Sequence, residues 1–265
     1  MFNTVGFIGC GNMGSALARA VRSGAPETEL YFANRSPAKA DALVQALGGE
    51  RVDNETIARR CSLIFLGVKP RMMEGVLSAL APVLAERKDR FVLVTMAAGL
   101  TMERVRQMAG GAWPVVRIMP NTPAAVGAGV VQLCAADVTD QEKEEIMDLL
   151  APAGLVDELP EGLIDAASAV SGCGPAFAYL FVEGLADGAV ACGLPRDKAV
   201  RYAAQMLQGA ARLVLESGTH SGALKDAVCS PGGTTIQGVR ALEARGFRGA
   251  AMEAVIAAYE KTREL

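Results

Sequence analysis

The six residues "GCGNMG", Gly9 to Gly14, follow directly on the apolar run "TVGFIG" and constrain the fold more than any other part of the chain. A continuous apolar run reads as a strand buried on both faces. The segment after it, "NMGSALARAVRSG" (12–24), reads as a helix stopped by Gly24. Between a strand and a helix, GxGxxG reads as a dinucleotide fingerprint and not merely as a packing cluster. Gly9 permits the tight turn, Gly11 leaves room for a pyrophosphate against the backbone, and Gly14 lets helix and strand pack closely. The helix start offers free N–H groups and a partial positive charge to the phosphates. Gly9, Cys10, Gly11, Asn12, Met13 and Gly14 therefore form the expected phosphate site.

The same alternation continues to about Pro160. Strands are expected at 29–34, 62–68, 90–97, 114–119 and 127–133, with helices at 36–47, 71–85, 101–108 and over "TDQEKEEIMDLLAP". Ser36 and Pro37 open one helix as N-cap and first residue, and Thr139 or Asp140 caps another. Short, continuously apolar strands alternating with helices indicate a mostly parallel sheet covered on both sides. After Pro160 only helical spacing remains, as in the apolar positions 203, 206, 207, 210, 213 and 214 between Pro195 and Gly218. The segment "GPAFAYLFVEGLADGAVACG" is another helix, and Gly184 and Gly188 on its face permit close helix contact. The expected fold is α/β, with a Rossmann-type dinucleotide-binding domain at 1–160 and an all-helical domain at 161–265. The helices are apolar over wide faces in a small unit. Such a unit completes its core with a second copy of itself, so a homodimer or higher homo-oligomer is expected.

In NAD binders an acid near the end of the second strand takes the ribose 2′-hydroxyl. Here that position reads "ANRSPAK", with Asn34, Arg35 and Ser36 and no carboxylate. A guanidinium and a hydroxyl attract a 2′-phosphate that a carboxylate would repel. NADP(H) is therefore favoured, with NAD(H) as the alternative. Two later strand ends carry residues suited to the same ligand: Val68, Lys69 and Pro70, and the small Ala97, Ala98 and Gly99, against which a flat ring can lie. Lys69 has the competing reading of a structural ion-pair partner.

Bulk properties exclude several classes. Net charge is −3 with no long basic run, which removes the footprint of a nucleic-acid binder. The apolar stretches 118–136 and 166–182 are broken by Pro and Gly, so no membrane span is expected, and the opening residues lack the basic region of a signal peptide. The six cysteines form no CxxC pair, which fits reduced thiols in a cytoplasmic protein. One histidine, His220, in a turn-like segment, leaves no multi-histidine metal site, and no metal is expected.

One stretch remains: "SPGGTT", Ser230 to Thr235, between two helical segments. A plain turn needs only a Pro or a Gly. Here Gly232 and Gly233 open the backbone to a ligand. Unpaired N–H groups at the new helix and the hydroxyls of Thr234 and Thr235 suit an anion. Ser230, Gly232, Gly233, Thr234 and Thr235 are thus candidate substrate contacts.

The segments "GFIGCGNMGSAL", "ANRS", "FLGVKP", "RIMPNTP", "SGCGPAF" and "LKDAVCSPGGTT", in that order, span nearly the whole chain. Together they resemble the pyrroline-5-carboxylate reductases. "MPNTP" and "KDxVxSPGGTT" are the specific elements. The resemblance implies NAD(P)H-dependent reduction of the cyclic imine 1-pyrroline-5-carboxylate to L-proline, the last step of proline biosynthesis. It also implies a Rossmann domain plus a helical dimerisation domain. The active site is then expected where one chain's nucleotide domain meets its partner's helices. Carried over by position, cofactor contacts fall on Gly6, Phe7, Ile8, Gly9, Cys10 and Gly11, on Asn34 to Ser36, on Asn54, and on Val68 to Pro70. Asn54 would face the adenosine ribose, or else cap a helix. Substrate contacts fall on Thr234, Thr235 and Glu161, and Thr235 is the candidate catalytic residue, its hydroxyl on the ring nitrogen. Cys173 stands where the family commonly has Ser, a change read as affecting packing. The β-hydroxyacid dehydrogenases share the fingerprint but need a lysine that "SGCGPAFAYLFVEG" lacks. A nucleotide-binding regulator would not need the SPGGTT cradle.

Overall fold

The computed structural model describes residues 2–264. It divides into two compact units, one running to Cys173 and taking in the residues from Tyr259 onward, the other comprising Gly174–Ala258.

Strands and helices alternate through the first unit. They are β1 (Thr4–Ile8), α1 (Asn12–Gly24), β2 (Glu29–Ala33), α2 (Pro37–Leu47), β3 (Glu50–Arg51), α3 (Asn54–Arg60), β4 (Leu63–Leu66), α4 (Pro70–Glu86), β5 (Val92–Thr95) and α5 (Met102–Met108). Then come β6 (Val115–Pro120), a 3-10 turn at Thr122–Val126, β7 (Gly129–Ala136), α6 (Asp140–Leu150), β8 (Gly154–Glu158) and α7 (Glu161–Ser171). Among the described residues the strands form one sheet of order β3-β2-β1-β4-β5-β6-β7-β8. All neighbours are parallel except β6 and β7. Side chains from β1, β4 and β5 alternate between two cores. Leu17, Val21, Leu43, Ile146 and Leu149 close one face, and Ile57, Met73, Leu77, Val105 and Ile164 close the other. Burial on both faces explains why these strands read as unbroken apolar runs.

Three details depart from the expectations. The edge strands β3 and β8 carry mostly exposed residues, so neither shows the apolar signal of a central strand. The strand expected at 127–133 begins later and runs on to Ala136. Asn54 does not cap α3. Asp53 does, accepting the Thr56 N–H at 2.7 Å, and Asn54 is the first helical residue.

The second unit contains α8 (Gly174–Ala191), α9 (Arg196–Ser217), α10 (Ser221–Ala227), α11 (Thr234–Ala244) and the greater part of α12 (Phe247–Thr262). His220 caps α10, its Nδ1 accepting the Gly222 N–H at 3.1 Å. Gly218, in the left-handed conformation at φ 61°, ends α9. The buried hydrophobic residues of this unit are three alanines, Ala186, Ala199 and Ala203. Tyr179, Leu180, Met206, Leu213 and Leu215 are exposed. The close helix contact expected at Gly184 and Gly188 is not made within the chain, where nothing lies within 4 Å of a Cβ at either position. By length and composition alone, the segment Glu161–Ala191 is apolar enough to cross a membrane, and little of it is buried.

The division expected at Pro160 lies one helix before the boundary of compactness. Ile164 of α7 sits fully buried in the sheet core, which ties that helix to the first unit.

Helix α6 is fastened by charge. Thr139 and Glu142 form a reciprocal capping box, and Arg90 donates to both Glu142 carboxylate oxygens at 2.6 and 2.7 Å. Chiefly through Arg90, the Glu142 carboxyl is held down at about 2. A depressed carboxylate stabilises the fold above its unfolded pKa, and that contribution disappears as pH falls through the folded value. Arg90→Met is expected to lower stability at neutral pH by about 0.5–1 kcal/mol, the pair being partly solvated. The gap in melting temperature between wild type and variant should narrow below the ordinary carboxylate pKa of 4.5 and close near 2. A gap that stays constant across that range would show that Arg90 acts otherwise.

Candidate functional site

Parallel register brings the candidate nucleotide residues to one edge. Ile8 lies beside Ala33 and Leu66, and Leu66 beside Thr95. The segments that leave the sheet after these residues are therefore neighbours: 9–14, 34–36, 67–70 and 96–99. This is the carboxyl edge, where open α/β sheets bind ligands.

Close backbone approach governs that edge. Gly9 has φ +106°, and a Cβ there would stand 2.6 Å from the Gly67 carbonyl carbon. A Cβ on Gly14 would meet the Gly9 carbonyl oxygen at 2.2 Å, and one on Gly67 would meet it at 2.5 Å. Gly11 differs, since nothing lies within 4 Å of its Cβ position. It is the N-cap of α1 and makes no side-chain cap bond. The fingerprint thus divides into Gly9 and Gly14, which are needed for packing, and Gly11, which opens onto free space at a helix N-terminus. That space suits a pyrophosphate.

Asn34 ties two of these segments together. Its Oδ1 accepts the Cys10 N–H at 2.9 Å, and its Nδ2 donates to the Ser36 carbonyl at 2.9 Å. Arg35 and Ser36 are exposed, and neither side chain is engaged by another described residue. Lys69 is likewise exposed at the start of α4 without an ion-pair partner among the described residues. Val68 is half-buried and Pro70 exposed. Ala97 is buried, Ala98 half-buried, and Gly99 exposed at φ +74°.

Other predicted positions face inward. Phe7 and Ile8 lie in the two cores, and Phe7 stacks on Phe65. A Cβ on Gly6 would stand 2.3 Å from Ile57 Cγ2, so Gly6 lets α3 lie against β1. These residues can present only backbone to a ligand. Cys10 is buried beside the Ala33 carbonyl, and burial pushes its thiol up to about 11, which keeps it protonated and unreactive.

Sequence reasoning missed a buried polar seat beneath α7. Arg117 of β6 is 2% exposed, with Nη2 2.6 Å from Asp165 Oδ1 and Nη1 3.5 Å from Glu161 Oε1. Glu161 Oε1 also accepts the Met102 N–H at 2.7 Å. At the other end of α7, Asn121 donates to the Ser171 carbonyl at 2.9 Å, and Gln132 Nε2 to Ser171 Oγ at 2.5 Å. The available signal was a lone arginine inside the apolar strand "VVRIMP". Glu161 also lines a cavity of about 460 Å³ with Met102, Cys134 and Glu158.

In the second unit, residues Ser230–Gly233 form a turn closed by Gly233 N–H to the Ser230 carbonyl at 3.0 Å, with Gly232 at φ +68°. Gly233 is the N-cap of α11 and offers no side-chain acceptor. A Cβ on Gly233 would stand 2.6 Å from Ser230 Oγ. Thr234 and Thr235 are the first two helical residues, both exposed, and neither occupies the cap. The first turn thus has no side-chain cap, and neither threonine side chain has a hydrogen bond among the described residues, an arrangement that suits an anion.

Comparison with known proteins gives two family matches. Residues 161–265 match the family described as pyrroline-5-carboxylate reductase dimerisation. Residues 4–99 match the family described as NADP oxidoreductase coenzyme F420-dependent. The pyrroline-5-carboxylate reductase of Escherichia coli is 40% identical, with 100% of this chain and 99% of that protein covered. The solved pyrroline-5-carboxylate reductase of Coxiella burnetii superposes with a TM-score of 0.91 at 32% identity, covering 99% and 98% of the two chains. The Plasmodium falciparum pyrroline carboxylate reductase, solved with NADP bound, gives 0.85 at 33% identity, covering 98% and 97%.

Proposed function

The chain belongs to the pyrroline-5-carboxylate reductase family, and from that premise we propose that it reduces 1-pyrroline-5-carboxylate to L-proline with NADPH. What carries the reading is that one chain holds both a glycine-lined sheet edge with open space at Gly11 and a helix start at Gly233–Thr235 that no side chain caps. The first suits a dinucleotide and the second a small carboxylate.

Gly9 to Gly14 receive the pyrophosphate, with the N–H groups of α1 directed at it. Arg35 and the Ser36 hydroxyl, both exposed and unengaged, take the 2′-phosphate, so NADPH is preferred over NADH. Val68 to Pro70 and Ala97 to Gly99 flank the nicotinamide. Asn54 faces the adenosine ribose. When bound, NADPH supplies the hydride that C5 of the imine accepts. The first-turn N–H groups of α11, with Ser230, Gly232, Gly233 and Thr234 shaping the cradle, hold the substrate carboxylate and so fix C5 in place. The Thr235 hydroxyl hydrogen-bonds the ring nitrogen and supports its protonated form, which makes C5 electrophilic.

The exposed apolar face of the helical unit needs a cover. A second copy of the chain supplies it, so the working form is a homodimer or a larger homo-oligomer. Supporting this, only alanines are buried within that unit, and the matched family description is a dimerisation domain. A bilayer is the competing cover, but α7 begins with Glu161 and Asp165 bound to a buried arginine, which seats that end on the sheet. All six cysteines are free, which fits a reducing cytoplasm.

Pyrroline-5-carboxylate is expected to drive NADPH oxidation, and absence of turnover at saturating concentrations of both would refute the assignment. Thr235→Ala should lower the turnover number about 10- to 100-fold while NADPH binding holds, as a lost catalytic hydrogen bond implies. Thr235→Ser should keep most activity. Because Gly233 is the cap, neither variant is expected to lose a capping bond. An Ala variant with wild-type turnover but a lowered melting point would make the residue structural.

Arg35→Asp should weaken NADPH binding about tenfold or more and leave NADH binding nearly unchanged, since repulsion replaces a charge-assisted contact. Equal shifts in the two Michaelis constants would refute the 2′-phosphate assignment. Sedimentation at assay concentration is expected to show a dimer or larger species, and a fully active monomer is the contrary result.

A further inference from the structure

Arg117 and Glu161 lie far in sequence from the loop after β5, yet one neighbours its start in the sheet and the other bonds the residue where α5 begins. Met102 is the first residue of α5, so its N–H has no acceptor within the helix. The capping hydroxyl of Thr101 is occupied by the Arg104 N–H at 3.2 Å. Glu161 Oε1 supplies the missing acceptor at 2.7 Å, across 59 residues of sequence. The same oxygen is 3.5 Å from Arg117 Nη1, while Arg117 Nη2 holds Asp165 at 2.6 Å. Arg117 in turn pairs in register with Thr95, the last residue of β5. Arg117 thus lies across the strand pair from the residue where the loop begins, and its guanidinium is paired with the carboxylate that accepts from the residue after its end. Between those two residues lie Ala97, Ala98 and Gly99.

Burying a guanidinium is unfavourable unless it is paired, and an apolar side chain of similar volume stabilises such a site as well or better. Fold stability alone therefore does not account for an arginine within "VVRIMP". Geometry does. A carboxylate on a first-turn N–H is a short, charge-assisted bond, and its partner arginine limits the directions from which it can be made. We propose that Arg117 and Glu161 are positioning residues that fix the loop Ala97–Gly99 against the nicotinamide ring. This rests on the reductase reading above.

The full-length protein tests it through Glu161→Ala, Glu161→Gln and Arg117→Met. The measurements are NADPH affinity by fluorescence titration, steady-state constants for both substrates, and amide hydrogen exchange at Met102. Glu161→Ala is expected to speed exchange at Met102 and raise the NADPH Kd about tenfold, with the imine KM within about twofold of wild type. Glu161→Gln keeps an acceptor oxygen and should recover most of the affinity. Adding Arg117→Met to Glu161→Ala should produce little further loss, because both act by one route. If Arg117→Met does not fold, the Ala and Gln pair still decides. An unchanged NADPH Kd in Glu161→Ala overturns the proposal, and an accompanying rise in imine KM reassigns Glu161 to the substrate. Wild-type protein that fails to bind NADPH would overturn both this proposal and the reductase reading. Normal wild-type turnover with insensitive variants overturns the positioning role alone.

Discussion

The carbonyl of Gly9 is the tightest point of the sheet edge. Gly14 approaches it from α1 and Gly67 from the end of β4, each so close that a Cβ would come within 2.5 Å of the oxygen. No rotamer change relieves such a contact, because both partners are backbone. The α1 N-terminus can therefore point at a ligand across the sheet edge only while all three positions remain glycine. Everything else at that edge is arranged around this approach. The Gly9 N–H donates to the Ala33 carbonyl and the Gly67 N–H to the Ile8 carbonyl, each at 2.8 Å, so the three strand ends are joined before any ligand is present. This preorganisation reduces the ordering that binding would otherwise require.

The two units solve the burial problem differently. The first closes both faces of its sheet with helices and can afford a charged residue inside, provided Arg117 finds two carboxylates. The second buries no large apolar side chain of its own. Its helices pair, as Phe181 and Phe247 show with ring centroids 5.5 Å apart, but their outer faces stay apolar and exposed. At roughly 25 cal/mol per Å² of apolar surface, leaving such faces in water forgoes a large share of the folding drive. Covering those faces with a second copy, as proposed above, would couple folding to association in this half of the chain.

Which parts were legible in the sequence follows from the same physics. Strands β1, β4 and β5 are buried on both faces, so they read as apolar runs. β3 and β8 lie at the sheet edges and carry solvent-facing side chains, so they left no such trace. The glycine fingerprint was legible in position and in the close packing at Gly9 and Gly14, whereas Gly6, a contact expected from the resemblance, lies against Ile57 and Cys61. The SPGGTT turn was legible because helix breakers and hydroxyls have little other reason to coincide there. The polar seat of α7 was not. Its members come from β6, the turn that follows it, β7 and α7, and spacing along the chain cannot reveal contacts made across a sheet. Asp53 took the cap that Asn54 seemed to offer because both are good cap residues and adjacent, and only the backbone conformation separates them.

The end of β2 shows one residue tying two turns together. An acid there would favour a free ribose hydroxyl. The asparagine found instead both accepts and donates, taking the Cys10 N–H and giving to the Ser36 carbonyl. An aspartate could keep the first bond but has no proton for the second. It would leave the Ser36 carbonyl without its partner and place a negative charge beside the turn that carries Arg35. Substitution toward an acid would therefore disturb the link between the Gly9–Gly14 turn and the Arg35–Ser36 turn as well as the charge beside Arg35. At this edge the charge near Arg35 and the way the Arg35–Ser36 turn is held cannot be changed separately by such a substitution.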